Sequence, residues 1–342
     1  MRKLLKLISV SSLLICMTAT VFSAANTVHA SSLPGNSTKY SDKNSEQIAK
    51  AAVDDLANRV IWDGKRFIAV GKNGAILTSA DGTKWYLRNS GITAALFDIV
   101  WNGKQYVAVG ADGKIITSTD GVAWVSRKSG VTNSLKRIIF GNNQFVAVGN
   151  GLILSSSNGI TWTKYNIKSN EYIPNVIWNG KQFLVAATHK LSFVSKDGVT
   201  WERKASLNTL KTIKAEDNIL FTDVVWDGNK YAAISPNGGI YTSTDGLKWI
   251  WKYTVNAICL NDIIWDGSKY IVVGEKGNVL TSKDGAAWEN KSIKDSCKLY
   301  CIVGNEKKYM ILGEKGALYS TDKSESQISF KPYTSLYNIV KP

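Results

Sequence analysis

Histidine is almost missing from this chain: two in 342 residues. His29 falls in an N-terminal leader, so His189 stands alone. A histidine-bearing metal cluster then lacks a second imidazole, and a Ser-His-Asp triad is implausible without other signs. Cysteine is nearly as sparse for an exported protein. Beyond Cys16 in the leader, only Cys259, Cys297 and Cys301 remain, and three cannot all pair internally. Cys259 and Cys297 hold nearly equivalent places in neighbouring repeats, which leaves one bridge open to them, but spacing does not set connectivity. No glycine-rich phosphate loop precedes a helix, no stretch of useful length has a helical period, and no later segment is apolar for long enough to span a bilayer. On these grounds no catalytic residue, metal ligand or cofactor is assigned, and the chain is expected to be a non-enzymatic monomer.

The first thirty residues carry Arg2, Lys3 and Lys6, an apolar run from Leu7 to Val21, and small residues ending in Val28-His29-Ala30. This is the pattern of a secretory signal peptide cut after Ala30. Ile15 is bulky where a lipoprotein signal wants a small residue, so lipidation at Cys16 is not expected. Residues 31–57 are polar and read as a linker or flap. Loss of the leader takes away three basic residues and no acidic ones, and the net charge of +15 becomes +12. Such a balance favours anionic partners. The basic residues are scattered, however: Lys65, Lys104, Lys181, Lys269 and Lys307 recur in one set of turns, and Arg127, Lys136, Arg203 and Lys211 in the opposite set.

What the chain has in abundance is repetition. A unit of about 39 residues recurs seven times, anchored at Trp62, Trp101, Phe140, Trp178, Trp226, Trp265 and Gly304, and a period in this range means stacked supersecondary units. In the second unit, Ile99-Val100-Trp101 leads through Asn102-Gly103 into Gln105–Val109; Asp112-Gly113 turns the chain into Lys114–Ser118, and Asp120-Gly121 turns it towards Trp124. Asx-Gly pairs between β-branched and aromatic runs are hairpin signals, so each unit gives four antiparallel strands. One such sheet cannot bury both its faces, whereas seven arranged radially cover one another. The expectation is an all-β, seven-bladed propeller over residues 58–331, with strand four of the last blade at Gln327–Lys331 and residues 332–342 as a tail.

Six units end in Ser-x-Asx-Gly-x-x-Trp, with Asp81, Asp120, Asn158, Asp197, Asp245 and Asp284 at the Asx position; the seventh keeps Asp322 but loses the glycine and tryptophan. The side chain can accept turn amides, glycine supplies the positive φ and tryptophan covers the turn. A residue used in every unit reads as a structural staple. These hairpins resemble the Asp-box (bacterial neuraminidase) repeats of sialidase-like propellers, although glycine follows Asp one residue early. The Trp-Asn-Gly-x-x-Tyr-Val-Ala-Val-Gly pattern resembles secreted bacterial relatives of the photosystem II assembly factor propellers. The resemblance covers all seven units and speaks for architecture, not for an activity.

Strand order puts the first and third turns of every blade on one rim, the lower, and the second turn with the blade-to-blade connection on the upper. The upper rim departs from the repeat at Ala187-Thr188-His189-Lys190 and in a long connection between Glu202 and Thr222; His189 and Lys190 are candidate ligand residues there. A second candidate is the ring three residues before each anchor: Arg59, Asp98, Arg137, Asn175, Asp223, Asp262 and Cys301. One account makes it an alternating ion-pair ring lining a wet channel. The other makes it a binding mouth, with Arg59 and Arg137 holding an anion and the aspartates accepting sugar hydroxyls. The function expected is that of a secreted, extracellular module, cell-wall associated or free, binding a glycan, an anionic wall polymer or a protein; nucleic acid is not expected. Tyr172 and Trp251 are aromatic candidates. The sialidase-like resemblance implies an alternative glycosidase with an arginine clamp, but only Arg59 and Arg137 lie at that depth, leaving Asp223 and Asp262 as a possible carboxylate pair.

Overall fold

The computed structural model describes residues 57–167, 173–188, 191–205, 220–255, 258–294, 297–314, 317–323, 331–333 and 339–340. They form a seven-bladed β-propeller in which each blade has four antiparallel strands of contiguous sequence, joined in blade one by a fifth from the end of the chain. Blade one is Ala57–Trp62, Phe67–Gly71, Ile76–Ser79 and Trp85–Arg88; blade two repeats it as Leu96–Trp101, Tyr106–Gly110, Ile115–Ser118 and Val125–Arg127.

The second strands are continuous apolar runs, such as Phe67-Ile68-Ala69-Val70 and Tyr106-Val107-Ala108-Val109, and every residue is buried. A strand half exposed to water would alternate; these do not because both their faces are covered. Alternate side chains divide between two interfaces. Phe67 and Ala69 join Cys301, Met310 and Leu312 of blade seven, whereas Ile68 and Val70 join Leu96, Ile99 and Tyr106 of blade two. The core is thus a set of apolar layers between blades. The outer strands face water, as the exposed Val125 and Ser126 show.

Local chemistry holds each lower-rim hairpin. In blade two, Asp120 Oδ1 accepts the amides of Val122 and Ala123 at 2.8 and 2.9 Å, Ser118 Oγ accepts the amide of Gly121, and Trp124 Nε1 donates to the Gly121 carbonyl. Gly121 has φ of 72°, which explains the choice of glycine in six of the seven units. The same amide bonds recur around Asp81, Asn158, Asp197, Asp245 and Asp284, and the indole bond in all of these except at Trp162, whose buried Nε1 has no partner. The amides of Thr200 and Val199 hold the Asp197 carboxyl down at about 2. Asp322 ends a strand opposite Lys308, and residues 324–330 lie outside the described residues.

The end of the chain differs from expectation. The described outer strand of blade seven is Lys331–Tyr333, which takes in the end of the expected strand and runs two residues past it, while residues 327–330 lie outside the described residues; Pro332 sits where a sheet edge tolerates a missing donor. Residues Ile339–Val340, within the expected tail, pair in parallel with Trp85 and Tyr86 and give blade one a fifth strand. The chain therefore crosses the seam between the last blade and the first. The linker or flap expected at 31–57 lies outside the described residues except for Ala57, which opens blade one.

Candidate functional site

Bulges in the innermost strands aim the hub side chains. Register slips by one residue between Ala57 and Arg59, Leu96 and Asp98, Leu260 and Asp262, and Leu299 and Cys301; the same slip in blade three falls between Leu135 and Arg137. An extra residue of this kind turns the next side chain. Here it directs Arg59, Asp98, Arg137, Asp262 and Cys301 inwards and leaves Asn58, Phe97, Lys136, Asn261 and Tyr300 as a second ring at the upper mouth.

The inward ring is paired across the hub as well as between neighbouring blades. Arg59 Nη1 is 2.6 Å from Asp262 Oδ1 and 3.9 Å from Asp223, and its Nε is 3.5 Å from Asp98. Arg137 Nη2 lies 2.5 Å from Asp223 Oδ1, which also accepts Asn175 Nδ2 and the Val224 amide. Asp98 and Asp262 each take an amide from the following blade, Ile138 at 2.9 Å and Ile302 at 2.8 Å. Asp223 and Asp262 thus both approach the same Arg59 nitrogen. Burial alone would lower the Arg59 guanidinium, but Asp262, Asp98 and Asp223 outweigh it and hold it charged. Burial would raise Asp223, yet Arg137 and Arg59 keep it below the ordinary carboxylate range. Asp262 goes the other way: burial, joined by the Asp223 carboxylate, overcomes Arg59 and pushes it up to about 7. A proton held on Asp262 would balance two guanidiniums against three carboxyls. Burial also pushes the Cys301 thiol up to about 12.

Arg59, Arg137, Asn175 and the amides of Val224 and Ile302 already engage the Asp223 and Asp262 carboxyls, where a glycosidase keeps its pair turned to the sugar. What the hub can do is hold charge at its centre with little access from water. The mouth above it is different. Lys136 Nζ lies 3.8 Å over the Phe97 ring, and Lys298 lies over Tyr300 at 5.9 Å while pairing with Glu275 at 3.2 Å. Asn58 and Asn261 tie their blades to the next through the Leu96 and Leu299 carbonyls, both at 2.7 Å. His189, Lys190 and Tyr172 lie outside the described residues, as do residues 206–219 of the long connection. Ala187 and Thr188 continue the second strand of blade four, and Thr188 pairs with Leu191. Trp251 is exposed on the outer strand of blade five, away from the mouth. Cys297 meets the Tyr319 hydroxyl at 3.0 Å.

One set of contacts was missed in the sequence. The hydroxyls of Tyr106, Tyr270 and Tyr309 bond Asp63, Asp227 and Asp266 of the preceding blade, and Asn179 bonds Tyr231 at 2.6 Å. The signal was present: each first turn that carries Asp is followed 43 residues later by Tyr, whereas Asn102 and Asn305 face Phe145 and Phe67.

No family model matches this chain, and no curated protein matches it either. Solved structures do. A structure titled YCF48 bound to D1 peptide aligns at 17% identity over 78% of this chain and 91% of that one, with a TM-score of 0.62. YCF48 from Cyanidioschyzon merolae aligns at 15% over 80% and 97%, TM-score 0.63. Streptogramin B lyase aligns at 10% over 79% and 92%, TM-score 0.63. At such identities the likeness is one of fold. It spans binding propellers and an enzyme alike.

Proposed function

We propose that the chain is a secreted, non-catalytic binding or assembly module whose upper mouth recognises a segment of another protein. The observation that carries this reading is the contrast between the two rings: the hub charges are consumed by one another, while Phe97, Lys136 and Tyr300 stand above them on strand bulges. Cationic and aromatic groups on a rigid rim suit an acidic, partly apolar segment. The solved YCF48 with its bound peptide supports a protein partner over a glycan or wall polymer. Kinship with Asp-box propellers belongs to the same proposal.

The chain from Ser31 onwards, immobilised, is to be offered cell-surface proteins, a glycan array and purified anionic wall polymer. Protein capture that falls about tenfold in Phe97→Ala/Tyr300→Ala supports the reading. Retention on glycan or polymer alone overturns the choice of partner.

A glycoside hydrolase is the second reading, and one observation favours it: a carboxyl raised to about 7, as at Asp262, is what a general acid needs. Sugar release by wild type that disappears in Asp223→Ala/Asp262→Ala would establish it in place of the first.

A further inference from the structure

The lower rim carries a feature that neither the hub nor the upper mouth uses. Val122, Ile160 and Val199 are 42%, 45% and 47% exposed. They are equivalent residues, each the first after the hairpin glycine, in blades two, three and four. Blade five places half-buried Leu247 there, whereas blades one and six place Thr83 and Ala286. The hairpin itself asks for no aliphatic side chain at this point, because its hydrogen bonds come from the amide of that residue and not its side chain.

Equivalent positions in a propeller lie on a circle perpendicular to the ring axis, so a flat surface touches successive blades together. Exposed lysines frame the three tips: Lys104 and Lys181 from first turns, Lys196 and Lys248 from hairpins. The hairpin aspartates share this rim, but Asp120 and Asp197 spend Oδ1 on their own turn amides at 2.7–2.9 Å, and blade three has the neutral Asn158. Those two carboxylates stay ionised, so on the lower-rim turns of blades two to four Lys104, Lys181 and Lys196 leave a small positive excess beside the apolar tips.

We propose that the lower rim of blades two to four docks on an anionic lipid surface, with Val122, Ile160 and Val199 entering the interface and the lysines meeting the headgroups. Planarity argues for a bilayer over a peptide, which would need a groove, and the positive net charge of the chain supplies the complementarity. No helix among the described residues is long and apolar enough to cross a membrane, so the contact is one of surface. Docked in this way, the protein would hold its upper mouth outwards. The proposal stands without that mouth's function.

The test is co-sedimentation of the chain from Ser31, which keeps the whole propeller, with phosphatidylcholine vesicles with and without phosphatidylglycerol, at low and high salt. Binding is expected only with phosphatidylglycerol, weakening with salt, and about tenfold or more weaker in Val122→Ser/Ile160→Ser/Val199→Ser and in Lys104→Glu/Lys181→Glu. Both variants change exposed side chains, and far-UV circular dichroism checks that they fold. No binding to the anionic vesicles overturns the proposal, as does equal binding by folded serine variant and wild type. Equal retention of the wild type and serine variant on a soluble polyanion, with weaker retention on vesicles, assigns the lysines to a polymer and also overturns it.

Discussion

Replacing Asp262 by Asn should do far less harm than replacing Asp223 by Asn, although both are buried members of one network. With every carboxyl ionised, the hub sets three negative charges against two positive ones; a proton held on Asp262 restores balance, and an Asn side chain reproduces that state. Arg59 would keep Asp98 at 3.5 Å and Asp223 at 3.9 Å. The loss in Asp262→Asn at neutral pH is therefore about 1 kcal/mol, one imperfect hydrogen bond. Asp223→Asn removes the partner 2.5 Å from Arg137 and strands a buried guanidinium, at about 3–5 kcal/mol. The pH dependence sharpens the contrast. The folded carboxyl of Asp262 is raised to about 7, above the unfolded value of about 4. Between these limits the folded state holds a proton that the unfolded state has released, so stability falls as pH rises, by up to about 1.4 kcal/mol per pH unit. Depressed carboxyls such as Asp223 and Asp197 act only below that window. They add stability that is lost as pH drops through their folded values. Urea unfolding followed by tryptophan fluorescence between about pH 4.5 and 7.5 should show wild type losing about 2–4 kcal/mol and Asp262→Asn remaining nearly level. A wild type with no such decline, together with equal damage in the two variants, would mean that Asp262 is ionised.

Tyr270→Phe removes the hydroxyl that bonds Asp227 and should cost about 1–2 kcal/mol, with Phe keeping the ring contacts to Trp265 and Trp288; thermal unfolding measures it. Because Asp227 is held below its ordinary range, with burial offset by Tyr270 and turn amides, the difference between wild type and variant should shrink as pH falls below about 4. Ending the chain after Tyr333 removes the strand on blade one and should lower the thermal midpoint by about 2–4 °C, with faster proteolysis at the blade-one edge; an unchanged midpoint and cleavage rate would show that the fifth strand does not hold the seam. Gly246→Ala meets both a φ of 74° and Leu184 Cδ2 at 2.5 Å, and should destabilise by about 2 kcal/mol or more in the same assay.

The fold was legible in the chain because its determinants are local and repeated. Asx-Gly turns, apolar second strands and Ser-x-Asx-Gly-x-x-Trp hairpins act within a few residues of themselves, and seven copies leave little doubt about the period. The hub residues were also found, since a fixed offset from each anchor marks them. Their pairing was not. Arg59 meets Asp262 across 203 residues of sequence, and whether a charge pairs with its neighbour or across the channel depends on the closed ring. The strand bulges that aim these side chains leave no sequence mark beyond one extra residue. The tyrosine staples did leave one, in the 43-residue spacing of Asp and Tyr, but it is visible only when two blades are compared.

Sequence by itself determined the number of blades, the four-strand pattern of the repeat and the chemistry of its Asx-Gly turns, because those choices are settled by neighbours along the chain. Tertiary structure decided which charges meet one another, which buried carboxyl is pushed up, and that the C-terminal residues pair with the first blade. Only closing the ring brings groups some two hundred residues apart into contact, and only burial there makes their ionisation depend on one another.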